Sequence, residues 1–384
     1  MGISFIITTY NVAPYVRQCL DSLAACARPG DQVILVDDGS TDETADRVQE
    51  FFREGGFPEA VQWTPVWLGT NTYGGVGIAG NIGLDHAERD TVFFIDGDDY
   101  LIPDAFDRAR RDYDRDRSDI FLTNYDEFDE KNQSLKRPAD SHRWPTLESS
   151  SPGEPRRIAA LAMIAVPWRK FYRRSMLVDK KIRFPEGDFF FEDNPFHWDV
   201  CLAAQSIGFS NHIVCHHRIN RPGQTMASTG IELTAFFRHF ETIWNAIPTS
   251  QTEYQLQAVR WLIGNMSWQL SRLHPEALNM YVTAASEALE KINPSIWMHN
   301  ALQSLRGSNA WRYANRIRSG KEWDVIEALH TSRSVRLQEE LSDRLNALEK
   351  NTKVQNAHIK TIRETIQARK SADEYQSIRS IFNK

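Results

Sequence analysis

At 384 residues the chain exceeds what a single hydrophobic core usually supports, so more than one structural unit is expected. A formal net charge of -6 argues against nucleic acid as the main partner, and no apolar run approaches the roughly 18 residues of a membrane span. Met1-Gly2-Ile3-Ser4-Phe5 lacks the basic region and cleavage site of a secretory signal, and Cys19, Cys26, Cys201 and Cys215 show no Cys-x-x-Cys spacing, so no disulfide framework or zinc site is expected and a reducing cytoplasm is the default.

Ile3 to Thr8 reads as an apolar strand ending in Thr8-Thr9-Tyr10-Asn11. A helix follows from about Pro14, with Val16, Leu20 and Leu23 at helical spacing. Gln32 to Asp37 is a second strand, closing on Asp37-Asp38-Gly39-Ser40. Ser40-Thr41-Asp42-Glu43 fits a capping box that opens a helix toward Phe51. A weaker strand near Val61 to Trp67 leads to a glycine-rich loop, Gly69 to Gly80, and then a helix to about Arg89. Thr91 to Ile95 is a strand ending in Asp96-Gly97-Asp98-Asp99, and Ile120 to Thr123 reads as another. This alternation predicts an α/β fold, a mainly parallel nucleotide-binding sheet with flanking helices on both faces.

Asp126 to Glu154 is polar and rich in Pro and Ser, and reads as an irregular excursion. Structure resumes over Arg156 to Ala165, the aromatic-basic run Trp168 to Arg174, and Phe189-Phe190-Phe191-Glu192-Asp193. Past about Ile231, segments carrying Trp261, Ile263, Trp268, Leu270, Leu289, Ile292 and Trp297 predict an α-helical domain. Near the C-terminus, Leu341, Leu345, Leu348, Thr352, Gln355, Ile359, Ile362 and Ile366 fall at alternating four- and three-residue steps, a heptad seam with two polar members. The division expected is 1–230, 231–332 and 333–384. A lone amphipathic helix is marginal in water, so the seam calls for a partner. A second copy, giving a homo-oligomer through a coiled coil, is preferred over folding back on the same chain.

The acidic clusters locate the chemistry. In an open α/β sheet, ligands bind beyond the carboxyl ends of the strands. Carboxylates crowded there raise one another's pKa unless a cation sits among them. Mg²⁺ prefers one or two carboxylates plus phosphate oxygens, which points to a nucleotide diphosphate. Asp37-Asp38-Gly39-Ser40 alone is more often a turn and a helix cap than a site. Asp96-Gly97-Asp98-Asp99, with three carboxylates straight after a buried strand, favours metal and nucleotide binding.

Taken in order, Ser4 to Asn11, Val36 to Asp42 and Phe94 to Asp99 resemble the family 2 glycosyltransferases, inverting enzymes of the type A nucleotide-sugar-binding fold. The likeness covers about the first 220 residues. It implies that Thr9, Tyr10, Asn11 and Asp38, with Asp37 adjacent and Asn81 further on, hold the donor nucleotide. It implies that Asp96, Gly97 and Asp98 grip the ribose, and that Asp98, with Asp96 or Asp99, holds Mn²⁺ or Mg²⁺. Glu192-Asp193 matches the family's Glu-Asp segment, whose Asp takes the proton from the acceptor hydroxyl. A carboxyl beside apolar surface suits that work, and Asp193 can cap a helix at the same time. His216, His217, Arg218 and Arg221 resemble a late segment near the donor diphosphate, with a solvated strand edge as the equal alternative. Trp168 to Arg174 fits a sugar platform, a membrane-facing patch or, preferably, a partly buried helix with snorkelling cations.

One departure and one decoy stand out. Where the family often has Ala-Arg-Asn this chain has Ala79-Gly80-Asn81, leaving diphosphate neutralisation to the metal and to Arg218 or Arg221. Gly75-Val76-Gly77-Ile78-Ala79-Gly80 fits a dinucleotide fingerprint but follows the wrong strand, and reads as a flexible loop over the donor. The reading is a metal-dependent inverting glycosyltransferase. It uses a nucleotide-sugar donor, UDP-sugar favoured, and a glycan or glycolipid acceptor in bacterial surface polysaccharide or glycolipid synthesis. It works in the cytoplasm or at the inner face of the membrane, with a peripheral membrane contact left open. The rivals are an NAD(P)-dependent oxidoreductase using the Gly75 to Gly80 loop, and a non-catalytic coiled-coil scaffold.

Overall fold

The structure, a computed structural model, describes residues 2–187, 190–222 and 229–382. Asp188 and Phe189, the latter opening the triple-phenylalanine run, lie outside the described residues. Two compact units result, Met1–Glu322 and Trp323–Lys384.

In the first unit, β1 (Ile3–Thr9), α1 (Val16–Cys26), β2 (Gln32–Asp37), α2 (Thr44–Arg53), β3 (Gln62–Trp67), α3 (Gly77–His86) and β4 (Thr91–Asp96) alternate as the sequence predicts. These strands pair in parallel, with β1 between β2 and β4. β1 and β2 are buried along their whole length, which their continuous apolar runs require. The register sets Thr9 beside Asp37 and Thr8 beside Asp96, so the strand ends bring the two acidic segments to one edge.

The rest of the sheet is mixed. β5 (Tyr100–Leu101), α4 (Pro103–Asp116), β6 (Ile120–Asp129), β7 (Ser134–Lys136), α5 (Trp144–Ser149), α6 (Glu154–Leu161), β8 (Lys170–Arg173), α7 (Arg174–Asp179), α8 (Asp193–Ala203) and β9 (Ile207–Ile219) follow in the chain. The strand order is β3-β2-β1-β4-β8-β6-β9-β5, with β7 on β6. β8 runs antiparallel to both β4 and β6, and β9 runs parallel to β6. The α/β class holds, with the longest strand pairings parallel and the short β5, β7 and β8 antiparallel to their neighbours. β8 is reached from β7 through α5 and α6, and like β7 it runs antiparallel to β6. Phe5, Phe93, Phe106 and Phe171 pack edge to face or tilted at centroid separations of 4.9–6.2 Å, locking β8 onto β1 and β4.

Three local expectations are corrected. The helix after Ser40 begins at Thr44, because Ser40 instead donates to Asp37 while Asp42 takes the Thr44 amide at 3.0 Å. The stretch from Asp126 to Glu154 is not irregular throughout: β6 continues to Asp129 and pairs with β7, and α5 follows. Trp168 to Arg174 is a 3-10 turn leading into β8, and Arg169 and Lys170 are fully buried rather than snorkelling. Arg169 is matched by Asp140 at 2.6 Å, as a buried charge must be.

The helices α9 (Ala235–Ala246), α10 (Thr252–Leu270), α11 (Leu278–Glu290), α12 (Pro294–Trp297) and α13 (Asn309–Arg318) belong to the same unit as the sheet, although a separate domain was expected after residue 230. Arg157 of α6 donates to the Tyr254 hydroxyl at 3.0 Å, and Trp261 donates its indole N–H to Asn194 of α8 at 3.1 Å. The second unit is helix α14 (Glu322–Phe382), with Leu341, Leu345, Leu348, Ile359, Ile362 and Ile366 exposed. Among the described residues no helix is long and apolar enough to cross a membrane.

Candidate active site

The ends of β1, β2 and β4 form the floor of the site. Thr9 donates its hydroxyl to Asp37 at 2.8 Å, and the Asp38 amide donates to the Thr9 carbonyl at 2.8 Å. Asn11, at φ 49°, accepts from the Thr41 and Asp42 amides, tying the first-strand turn to the second. Asp37 also takes the Ser40 amide at 2.8 Å, so the turn-forming reading holds for this residue. Asp38 faces the other way. It accepts from the Thr72 amide and hydroxyl, both at 2.9 Å, and from the Asn71 side chain at 3.1 Å. Burial pushes the Asp38 carboxyl above its ordinary pKa, against these hydrogen bonds. Tyr10 is largely exposed beside this floor.

Asp96-Gly97-Asp98-Asp99 turns back at the end of β4. The Gly97 amide donates to the Thr8 carbonyl at 2.9 Å, and a Cβ there would lie 2.5 Å from Thr9 Cγ2, so only glycine lets the acidic turn sit against β1. Asp96, Asp99 and His217 each offer one ligand atom within 4.8 Å of the others, a grouping that could hold a metal ion. Asp98 is turned toward Arg221, with which it forms an ion pair. Burial and the neighbouring Asp99 and Asp98 charges hold the Asp96 carboxyl well above its usual range. Burial works against a charged His217, yet Asp99, Asp98 and Asp96 outweigh it and lift the imidazole to about 9.

The late basic residues separate in the structure. β9 alternates its side chains, so His217 faces the acidic turn and bonds Asp99 at 2.9 Å, while His216 packs on Tyr100 with ring centroids 5.0 Å apart. Arg218 is buried beneath the turn. Its amide donates to Asp99 at 2.8 Å and its side chain to the Asp98 carbonyl, Gln18 and Glu130. Arg218 therefore braces the acidic turn. Trp168 is buried and stacks on His217 at 4.8 Å and 23°, which excludes the sugar-platform and membrane readings for it. Asn81 is buried too, its amide bonded to the Phe184 carbonyl at 2.9 Å and to Glu186 at 2.8 Å. It ties α3 to the 184–186 segment.

Glu192 and Asp193 stand at the start of α8. Glu192 is buried and accepts from the Gly77 amide at 2.7 Å; burial pushes its pKa up to about 7. Asp193 is half-buried, and burial raises it to about 6 against the opposing charge of Lys170. It lies close enough to Asp96 to raise that carboxyl electrostatically. Phe191 precedes them at φ 67°, a conformation that costs a non-glycine residue about 1–3 kcal/mol. Distant groups hold it there. Phe191 packs on Phe236 at 4.5 Å, its carbonyl accepts from Asn194 at 2.9 Å, and His239 bonds the Phe190 carbonyl at 2.7 Å. Sequence reasoning missed Lys170, His239, Trp261, Asn71 and Thr72. Lys170 stands in the basic run and Asn71 and Thr72 in the glycine-rich loop from Gly69 to Gly80, which were the signals available for them.

Gly75, Gly77 and Gly80 are explained by packing. A Cβ on Gly75 would lie 2.4 Å from a Glu192 carboxylate oxygen, one on Gly77 2.8 Å from Glu192 Cγ, and one on Gly80 3.0 Å from the Phe184 ring. The dinucleotide-like spacing records the approach of these two side chains, which removes the observation behind the oxidoreductase rival.

A curled mixed sheet with flanking helices and an acidic cluster beyond its strand ends is the type A architecture of glycosyltransferases. Residues 4–179 match the model of glycosyl transferase family 2. That stretch, a little under half of the chain, is similar to the family 2 glycosyltransferases. The chain is 28% identical over 239 residues to poly(ribitol-phosphate) beta-N-acetylglucosaminyltransferase TarS of Staphylococcus aureus, covering 62% of this chain and 39% of that protein. It is 26% identical over 255 residues to a poly(ribitol-phosphate) beta-glucosyltransferase of Bacillus spizizenii, covering 66% and 38%. The chain thus spans about two-fifths of the length of these two curated relatives. The crystal structure of S. aureus TarS 1–349 in complex with UDP-GlcNAc superposes with a TM-score of 0.67 at 21% identity, over 87% of this chain and 92% of that one.

Proposed function

We propose that this chain transfers a sugar, with inversion, from a nucleotide-diphosphate donor to an acceptor hydroxyl. The observation that carries the reading is the meeting of Asp96, Asp99 and His217 with Asp193 at one rim of the sheet. Tyr10, Asp38 and the turn at Asn11 receive the nucleoside. Asp193 takes the proton from the acceptor hydroxyl, its pKa of about 6 leaving it ionised near neutrality yet basic enough to accept. The hydroxyl oxygen then attacks the anomeric carbon on the face opposite the diphosphate, which accounts for inversion.

The site residues fit a divalent metal. Asp96, Asp99 and His217 would hold it, Asp98 joining if Arg221 releases it, and a mixed carboxylate and imidazole set suits Mn²⁺ better than Mg²⁺. When bound, such an ion neutralises charge on a leaving diphosphate. The UDP-GlcNAc complex of one relative and the names of two support a UDP-sugar donor and an acceptor of the poly(ribitol-phosphate) kind.

The α14 seam supports self-association through a coiled coil. Six of its apolar members stand exposed on one helix, and a second copy would cover them. Light scattering on the full chain against one ending at His330 tests this: a multimer lost on truncation is expected, and a monomer in both cases refutes it.

The direct test of the activity is calorimetric titration of UDP-GlcNAc in Mn²⁺ and in EDTA, with NADH as control. Mn²⁺-dependent UDP-GlcNAc binding and no NADH binding are expected. NADH binding with none of any UDP-sugar overturns the reading.

A further inference from the structure

The loop between β3 and α3 is fastened at both ends by carboxylates. At its start, Asp38 takes the Thr72 amide and hydroxyl and the Asn71 side chain. The chain is so close here that a Cβ on Gly39 would lie 2.4 Å from the Thr70 carbonyl carbon. At its end, Glu192 takes the Gly77 amide at 2.7 Å and is further held by the amide of Val76. Between these fastenings Tyr73 is 77% exposed and Val76 42%, so the loop has little packing of its own. It is positioned by its ends.

The two fastenings differ in what lies beyond them. Asp38 leads directly to the strand-end floor proposed to receive the nucleoside. Glu192 is bonded in sequence to Asp193, the proposed base, on a turn whose strained Phe191 is held by Phe236 and Asn194. A buried carboxylate that accepts backbone amides and fills the space left by two glycines is spent on holding them. It is badly placed to receive a proton from an acceptor.

We infer that Glu192 is a positioning residue and not a base: it fastens the donor loop, through Gly75 and Gly77, to the turn that carries Asp193. Donor contacts made by the loop are thereby transmitted to the placement of the base. The inference rests on the transferase reading above, and its test is arranged to separate the two.

UDP affinity in Mn²⁺ is measured by calorimetry for the full chain and for Glu192→Ala, Gly75→Ala and the double variant, with circular dichroism as a check on folding. Each single change weakens UDP binding by about tenfold, the size of one charged hydrogen bond. In Gly75→Ala the new methyl displaces the carboxylate. In Glu192→Ala that methyl meets no carboxylate, so the double variant binds no worse than Glu192→Ala alone. Additive losses, or singles that bind UDP as the wild type does, overturn the inference. Turnover gives the second readout. Glu192→Gln raises the donor KM more than it lowers kcat and keeps the acid limb of the pH profile; loss of kcat and of that limb with KM unchanged would make Glu192 the base. A wild type that binds none of UDP, GDP and dTDP overturns the transferase reading itself. Wild-type binding that none of the variants alters overturns only this inference.

Discussion

The strand-end floor and the turn from Phe190 to Asn194 do their work by opposite means. The floor is set by neighbours in the sheet: Thr9 beside Asp37, Thr8 beside Asp96, with each acidic residue the last of a buried strand. The turn is set from afar. His239 holds the Phe190 carbonyl, Phe236 packs on Phe191 and the Trp261 indole holds Asn194, contacts spanning 49 and 67 residues for the two hydrogen bonds. Where strand register does the positioning, function and fold share one pattern. Where α9 and α10 do it, through His239, Phe236 and Trp261, they become part of the machinery by holding the turn.

The sharpest break between the two regions is at the acidic turn. Asp99→Ala removes a candidate metal ligand and the partner of both His217 and the Arg218 amide, so Mn²⁺-dependent donor binding should disappear. Titration of Mn²⁺ with UDP present checks it, and unchanged affinity in the variant would remove Asp99 from the metal set. Asp98→Ala, which loses its ion pair with Arg221, should give a smaller but clear loss in the same titration.

Trp261→Phe probes the turn from its remote support. The change removes one indole N–H to Asn194 and keeps an aromatic ring, costing about 1 kcal/mol of local stability. It should lower kcat several-fold and leave the donor KM alone. A change in donor KM without one in kcat would place this support on the donor side.

The pH dependence gives a finer test. Asp193 has a folded pKa near 6, so transfer should rise with pH through about 6 as the carboxyl ionises. Burial raises that pKa and the buried Lys170 ammonium opposes the rise; burial has brought Lys170 itself down to about 7, so near pH 6 it is mostly charged. Lys170→Met removes the opposing charge, and the acid limb should move to higher pH. A limb that stays in place, or moves down, would show that Lys170 does not act on the base.

Much of the donor side was legible in the sequence because its motifs are contiguous with strands. The runs ending in Asp37 and Asp96 gave both the strands and their carboxylates. What sequence could not show is direction and commitment. Asp37 serves its own turn while Asp38 reaches the loop, and Asn81 and Arg218 are spent on structure although they stand at positions where donor contacts were expected. His216 and His217 are adjacent in sequence but face opposite sides of β9, so only His217 joins the acidic cluster. The glycine spacing from Gly75 to Gly80 was the most misleading signal. Its cause, the Glu192 and Phe184 side chains, lies more than a hundred residues away.

The account stands or falls on separating donor binding from proton removal. In Asp193→Asn the turn and its supports are kept and only the base is lost. Transfer and UDP-sugar affinity measured together on this variant should show turnover reduced by roughly 10²–10⁴-fold with donor affinity unchanged. Transfer at the wild-type rate, or a loss of donor affinity as large as the loss of turnover, would contradict it.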